Sequence, residues 1–134
     1  MSLSEVIRQR IRHEGPLPFA TYADLALYHP DFGYYARADQ RSGRRGDFIT
    51  SVDFGSPLGT LLATQCGEMW RHLGSNHFDL VEAGAGNGRL ARDILDAISS
   101  TDAPFYEATS LHLVERSPTA RNSQLKELSS HQSK

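Results

Sequence analysis

Apolar residues recur at helical spacing over several stretches of this chain and gather into short continuous runs at two others. Leu3, Ile7 and Ile11 share one face, with Val6 beside them, and Ser2 and Glu5 stand in capping-box register, so a helix is predicted from Leu3 to about His13. Gly15-Pro16 stops it. A second short helix is predicted from Thr21 to Tyr28, before His29-Pro30 and the turn-forming Asp31-Phe32-Gly33. Both read as lid-like pieces rather than a core. Arg37 to Asp47 has no apolar periodicity and reads as an exposed loop in which Arg41, Arg44 and Arg45 are solvated.

Ser56-Pro57 reads as an N-cap followed by proline at the first helical position, opening a helix that carries Leu58, Leu61, Leu62, Met69, Trp70 and Leu73 and stops at Gly74. Its apolar stripe is expected to pack against a sheet. Phe78 to Ala83 reads as a short buried strand, followed by a glycine-rich turn and a helix from Arg89 to about Ile98 whose apolar face is Leu90, Ala91, Ile94, Leu95 and Ile98. After a polar connection, Ser99 to Pro104, a second strand is predicted over about Ser110 to Val114, closing on Glu115. Ser117-Pro118 repeats the cap-plus-proline signal for a helix to about Leu128, and Ser129 to Lys134 reads as a solvated tail. The order βαβα predicts an α/β fold with a parallel sheet and a right-handed crossover. Residues 1–55 then form a helical and loop region, 56–128 the first part of a Rossmann-like domain, and 129–134 a tail.

Composition changes this picture little. The 134 residues make about one domain, 39% hydrophobic and 22% charged, with a net charge of −2 that gives no pull toward nucleic acid or acidic membranes. The apolar runs are too short to span a membrane, and the polar N-terminus lacks the apolar core of a secretory signal, so a start near Met1 and no secretion are expected. The single cysteine, Cys66, excludes an internal disulfide and fits a reducing compartment; it reads as a small apolar residue of a helix. Six histidines are scattered without metal-ligand spacing, no Ser-His-Asp pattern stands at a nucleophile elbow, and no Walker lysine follows the glycines. No metal is expected.

The chemistry concentrates in Glu82-Ala83-Gly84-Ala85-Gly86-Asn87-Gly88. Alternating glycines permit backbone torsions and close approaches that a side chain forbids, so a ligand can lie against the turn and the first N–H groups of the helix. The second strand ends in an acid, Glu115, suited to two ribose hydroxyls, which makes an adenosine-binding layout. A dinucleotide fingerprint requires a third glycine where this chain has Arg89. Glu82 would repel a pyrophosphate but can accept from an ammonium or sit near a sulfonium, which favours S-adenosylmethionine; alternatively it caps local backbone N–H groups.

Glu82-x-Gly84-x-Gly86-x-Gly88 with Glu115 resembles the S-adenosylmethionine site of class I methyltransferases. More narrowly, Gly15-Pro16-Leu17-Pro18-Phe19, Ala26-Leu27-Tyr28-His29-Pro30 with Gly33-Tyr34-Tyr35, Gly46-Asp47-Phe48-Ile49-Thr50-Ser51 and Leu113-Val114-Glu115-Arg116-Ser117-Pro118 together resemble the MidA-like family. The chain departs from that pattern at Val52, Leu58, Thr60 and Asn87. The resemblance implies a Rossmann-like class I methyltransferase fold of which this chain is the N-terminal half, its sheet incomplete. It implies S-adenosyl-L-methionine as cofactor, held by Glu82, Gly84, Ala85, Gly86, Gly88 and Glu115, with Asp47, Thr50 and Ser51 close to it. No catalytic residue is assigned.

The same resemblance implies a protein substrate, arginine in the mitochondrial relative that helps assemble respiratory complex I. It implies a bacterial cytoplasmic or mitochondrial matrix location, with oligomeric state left open. Because the family's sheet has more strands than this chain supplies, a truncated product, a fragment or one half of a pair is expected, inactive by itself. A non-catalytic binding or assembly module derived from the family is the alternative, and an NAD-linked oxidoreductase a third.

Overall fold

The computed structural model describes residues 1–36 and 46–134, so the basic loop with Arg41, Arg44 and Arg45 lies outside the described residues. The chain divides into two compact units, Met1–Arg41 and Ser42–Lys134. That division falls earlier than the expected boundary after residue 55, and residues 46–55 group with the second unit.

In the first unit, α1 (Leu3–Glu14) starts at the expected capping box: Ser2 Oγ accepts from the Glu5 N–H at 3.3 Å, and the Ser2 N–H donates to Glu5 Oε2 at 2.5 Å. It ends at Gly15, whose φ of 83° and N–H to the Ile11 carbonyl close the last turn. The next helix, α2 (Phe19–Tyr28), begins two residues before the sequence suggests, because the Pro18 carbonyl already accepts from the Tyr22 N–H. Neither helix contains a buried residue. The chain then turns at His29, whose Nδ1 accepts from the Asp31 and Phe32 N–H groups, and enters a 3₁₀ turn at Tyr34–Ala36.

The second unit holds the core. Its elements are a 3₁₀ turn at Ser51–Phe54, α3 (Pro57–His72), β1 (Phe78–Ala83), α4 (Arg89–Thr101), α5 (Ala103–Ala108), β2 (Thr109–Val114), α6 (Pro118–Glu127) and a 3₁₀ turn at Ser129–His131. The two strands pair in parallel, Phe78 opposite Thr109 through Ala83 opposite Val114. Among the described residues, helices cover one face of this sheet: Phe78, Leu80 and Glu82 are half-buried, while Asp79, Val81 and Ala83 face outward, with Val81 59% and Val114 58% exposed. The strand expected to be buried is thus half-buried, at alternate positions.

Ala63, Trp70, Ile94, Ile98 and Phe105 form the core cluster. The expected face of α4 is confirmed at Ala91, Ile94, Leu95 and Ile98, all buried. The stripe expected on α3 holds at Trp70, which is buried, and at Leu62, which packs against the core, but not throughout. Leu61, Met69 and Leu73 are exposed, and the buried face is Gly59, Ala63, Gly67 and Trp70. Small residues are needed there because α3 crosses α4 closely: a Cβ on Gly59 would stand 2.5 Å from the Asp93 Cβ.

Helix α5 was not expected. Asp102 caps it, accepting from the Phe105 N–H at 3.1 Å, and Arg71 of α3 holds the other carboxylate oxygen at 2.9 Å. The helix delivers Phe105, 1% exposed, to stack on Trp70 and meet Phe78 edge-on, a burial worth roughly 1.5–3 kcal/mol. The last residues are also corrected, since they do not form a solvated tail. His131 is 6% exposed, with Tyr106 Oη 2.8 Å from Nδ1 and Asp96 Oδ1 2.9 Å from Nε2, and the Lys134 carbonyl accepts from the Leu111 N–H of β2. Two polar partners offset the cost of burying the imidazole.

Gly59→Ala is expected to lower stability by roughly 1–3 kcal/mol, the cost of overpacking a closed helix crossing. Urea unfolding checks it, and an unchanged midpoint would mean that α3 can shift away from Asp93.

Candidate cofactor site

The strand β1 ends at Ala83 and the next five residues turn the chain into α4. Gly84, Gly86 and Gly88 have φ of 73°, 55° and 86°, all in the left-handed region that a side chain disfavours. The base of the turn is tied to the end of β2, because the Gly84 and Ala85 N–H groups both donate to the Val114 carbonyl, at 2.8 and 3.3 Å. Ala85 is buried under the turn, and its carbonyl accepts from the Gly88 N–H. The outer side is open, since a Cβ built on Gly84 or Gly86 meets nothing within 4 Å. The turn therefore offers bare backbone to a ligand.

Glu82, the last inward-facing residue of β1, is half-buried beneath this turn. Burial pushes its carboxyl above the ordinary value, and the N–H of Ala91 in the first turn of α4 opposes that rise. Its Oε2 is buried with no hydrogen-bond partner. The Ala91 N–H bears on the capping role considered for Glu82, and the unpartnered Oε2 leaves an acceptor open for the other.

Glu115 stands just past β2. Its Oε2 accepts from the Gly86 N–H at 2.9 Å and its Oε1 from the Ser117 N–H at 2.6 Å. The carboxylate is thus held against the turn by backbone donors, and each oxygen keeps a further acceptor position. The carbonyl of Gly86 is held from the other side by Gln124 of α6, whose Nε2 donates at 2.8 Å.

Arg89, the residue that breaks the dinucleotide fingerprint, reaches back to the 3₁₀ turn at Ser51–Phe54. Its guanidinium donates to Asp53 Oδ1 at 2.9 Å and to the Val52 carbonyl at 3.1 Å. Asp53 Oδ2 in turn accepts from the Thr50 N–H and hydroxyl, at 2.8 and 3.0 Å. The Thr50 N–H first, with the Thr50 hydroxyl and Arg89, holds the Asp53 carboxyl below its ordinary value, against the opposing effect of burial. Thr50 and Ser51 are therefore tethered to the start of α4, while Asp47 lies exposed earlier on the same segment. Sequence reasoning passed over Gln124, Arg89 and Asp53. The Thr50-x-x-Asp53 capping pattern was the one available signal among them.

With this geometry in place, the comparisons with known proteins are specific. A family model described as "Putative S-adenosyl-L-methionine-dependent methyltransferase" matches residues 61–134, more than half of the chain, and the chain belongs to that family. The mitochondrial protein arginine methyltransferase NDUFAF7 homolog of Drosophila melanogaster is 42% identical over 120 residues, covering 87% of this chain and 26% of the relative. The corresponding proteins of Danio rerio and Caenorhabditis elegans are 39% and 34% identical, covering 28% and 31% of their own lengths. The chain thus spans about a quarter to a third of the relatives it matches. A crystal structure of a COG1565 superfamily member from Burkholderia thailandensis, bound to S-adenosyl-homocysteine, superposes with a TM-score of 0.79 at 28% identity, over 96% of this chain and 33% of that one. The two parallel strands and their helices are part of a Rossmann-like fold whose sheet is not closed here.

The Asp53 carboxyl binds its proton less readily when folded than when unfolded, so it contributes stability above its unfolded value near 3.8, and that contribution is lost as pH falls through the lower folded value. Asp53→Asn is therefore expected to melt below the parent chain at pH 7, with the gap closing below about pH 4. Thermal melts across that range check it, and a gap independent of pH would remove the ion pair from the explanation.

Proposed function

We propose that this chain carries the cofactor-binding part of an S-adenosyl-L-methionine-dependent methyltransferase acting on protein arginine. The observation that carries the reading is Glu82 Oε2, a buried acceptor without a partner under a backbone turn that is open outward. An anionic acceptor in that place calls for a cationic donor, which the amino group of S-adenosylmethionine supplies and a pyrophosphate does not. Glu82 would hold that ammonium, Gly84, Ala85, Gly86 and Gly88 would line the cofactor with bare backbone, and Glu115 would accept from the ribose hydroxyls. Asp47, Thr50 and Ser51 would lie on the segment beside it.

When bound, the cofactor supplies an electrophilic methyl group on a sulfonium. What this chain contributes is alignment: the turn is tied at both ends, so the ligand meets a surface already in its bound shape. Arginine as acceptor is supported by the names of the relatives, which are protein arginine methyltransferases. A guanidinium acceptor needs a carboxylate to orient it, and no residue here is assigned that role. Those relatives are mitochondrial; the same location is proposed for this chain in a eukaryote, and the cytoplasm in a bacterium.

Glu82→Gln separates the two consequences of the buried carboxyl. Because burial raises its folded value, the charged form is disfavoured in the folded chain, and stability present below the unfolded value near 4.5 is lost as pH rises. At pH 7 the Gln variant is expected to melt above the parent chain while binding S-adenosylmethionine about tenfold more weakly, the effect of one charge-assisted contact. Calorimetric titration and thermal melts check both. Unchanged affinity would remove Glu82 from the site, and tighter binding of NAD than of S-adenosylmethionine would overturn the cofactor assignment.

A further inference from the structure

A turn with three glycines in five residues is loose unless something fixes it, because each glycine gives up more conformational freedom on ordering than any other residue. The structure shows what fixes this one. The two peptide groups flanking the Gly86 α-carbon are both held from the segment that follows β2, the N–H by Glu115 and the carbonyl by Gln124. That segment is itself secured, because Arg121 Nη1 donates to the carbonyls of Glu115 and Arg116, at 2.8 Å each. Arg121 and Gln124 are three residues apart on α6 and lie on neighbouring positions of one face.

Gln124 touches the turn a second time. A Cβ on Gly88 would stand 3.3 Å from Gln124 Cγ and 3.5 Å from Leu128 Cδ1, so the missing side chain is what lets α6 lie this close. The helix contains no buried residue and Leu125 is 78% exposed; it is tied to α4 by the Arg92–Glu127 ion pair and to the turn by Gln124.

We propose that Gln124 is a positioning residue for the cofactor turn, holding the Gly86 peptide from behind so that its outer face is preformed for the ligand. The proposal rests on the methyltransferase reading for the identity of the ligand, but the preformed turn is a property of the free chain. Gln124 itself acts through Gly86 and not on the cofactor.

The test uses the whole 134-residue chain and two variants. Gln124→Leu keeps the methylene packing on Gly88 and removes the donor; Gln124→Glu keeps the shape and turns a carboxylate oxygen toward the Gly86 carbonyl. In the free chain, NMR hydrogen exchange at the Gly86 amide is expected to quicken at least about tenfold in both variants, while core amides such as those of Leu95 and Ile98 exchange as before. Affinity for S-adenosyl-homocysteine is expected to fall about five- to tenfold, in line with one hydrogen bond. Parent-like exchange at Gly86 in the variants overturns the proposal, and so does parent-like affinity. If the parent chain does not bind S-adenosyl-homocysteine, the cofactor reading fails, and the exchange at Gly86 still decides whether Gln124 holds the turn. If Gln124→Leu does not fold, the Glu variant carries the same measurements.

Discussion

The parallel register of β1 and β2 is the constraint from which the site follows. Because Ala83 stands opposite Val114, both strands end level, the Val114 carbonyl is within reach of the Gly84 and Ala85 N–H groups, and the next residue, Glu115, meets Gly86. A slip of one residue would reverse the facing of every side chain in the slipped strand. Were that strand β1, Glu82 would point outward; were it β2, Glu115 would leave the turn. The register is fixed by the single covered face, where Phe78, Leu80 and Glu82 lie toward the helices. It is reinforced at the other end by α5, which places Phe105 against both Phe78 and Trp70 immediately before β2 begins.

On that frame the electrostatics divide cleanly. Two carboxylates face the turn: Glu82 is raised by burial, and Glu115 is held by backbone N–H groups. Arg121 donates to the Glu115 and Arg116 carbonyls, and Arg89 is committed to Asp53, whose carboxyl is held low by Thr50 and by Arg89 itself. The edge of the turn is thus lined by carboxylate acceptors. The same Arg89–Asp53 pair joins residues 50–54 to the start of α4, which is why a segment read as preceding the domain belongs to its compact unit.

Much of this was legible in the sequence, for identifiable reasons. Glycine spacing, a strand before it and an acid at the end of the next strand are local signals, and they led to Gly84, Gly86, Gly88 and Glu115. Caps were equally readable at Ser2 and Ser117-Pro118; Pro57 stands in the first helical turn as expected, but the Ser56 side chain makes no cap bond. Asp102-Ala103-Pro104 carries a similar cap-and-proline signal, but the run of polar residues before it masked a helix whose whole purpose is to deliver Phe105. The α3 face was read at Leu62 and Trp70 but missed at Gly59, Ala63 and Gly67, because periodicity favours large apolar residues whereas the crossing with α4 selects small ones, as the 2.5 Å approach at Gly59 reveals. Gln124 and Arg89 act across 38 and 36 residues of sequence, on Gly86 and Asp53, and no local pattern records such contacts. His131 was lost for the same reason, its partners Tyr106 and Asp96 lying on other helices.

The most direct measurement is a titration of the ¹⁵N-labelled chain with S-adenosyl-homocysteine followed by amide chemical shifts. The largest changes are expected at Gly84 to Gly88, Glu82 and Glu115, with smaller ones at Thr50 and Ser51 through the Arg89–Asp53 tether. Saturable shifts confined to other parts of the chain, or none at all, would contradict a cofactor site built on the turn between β1 and α4.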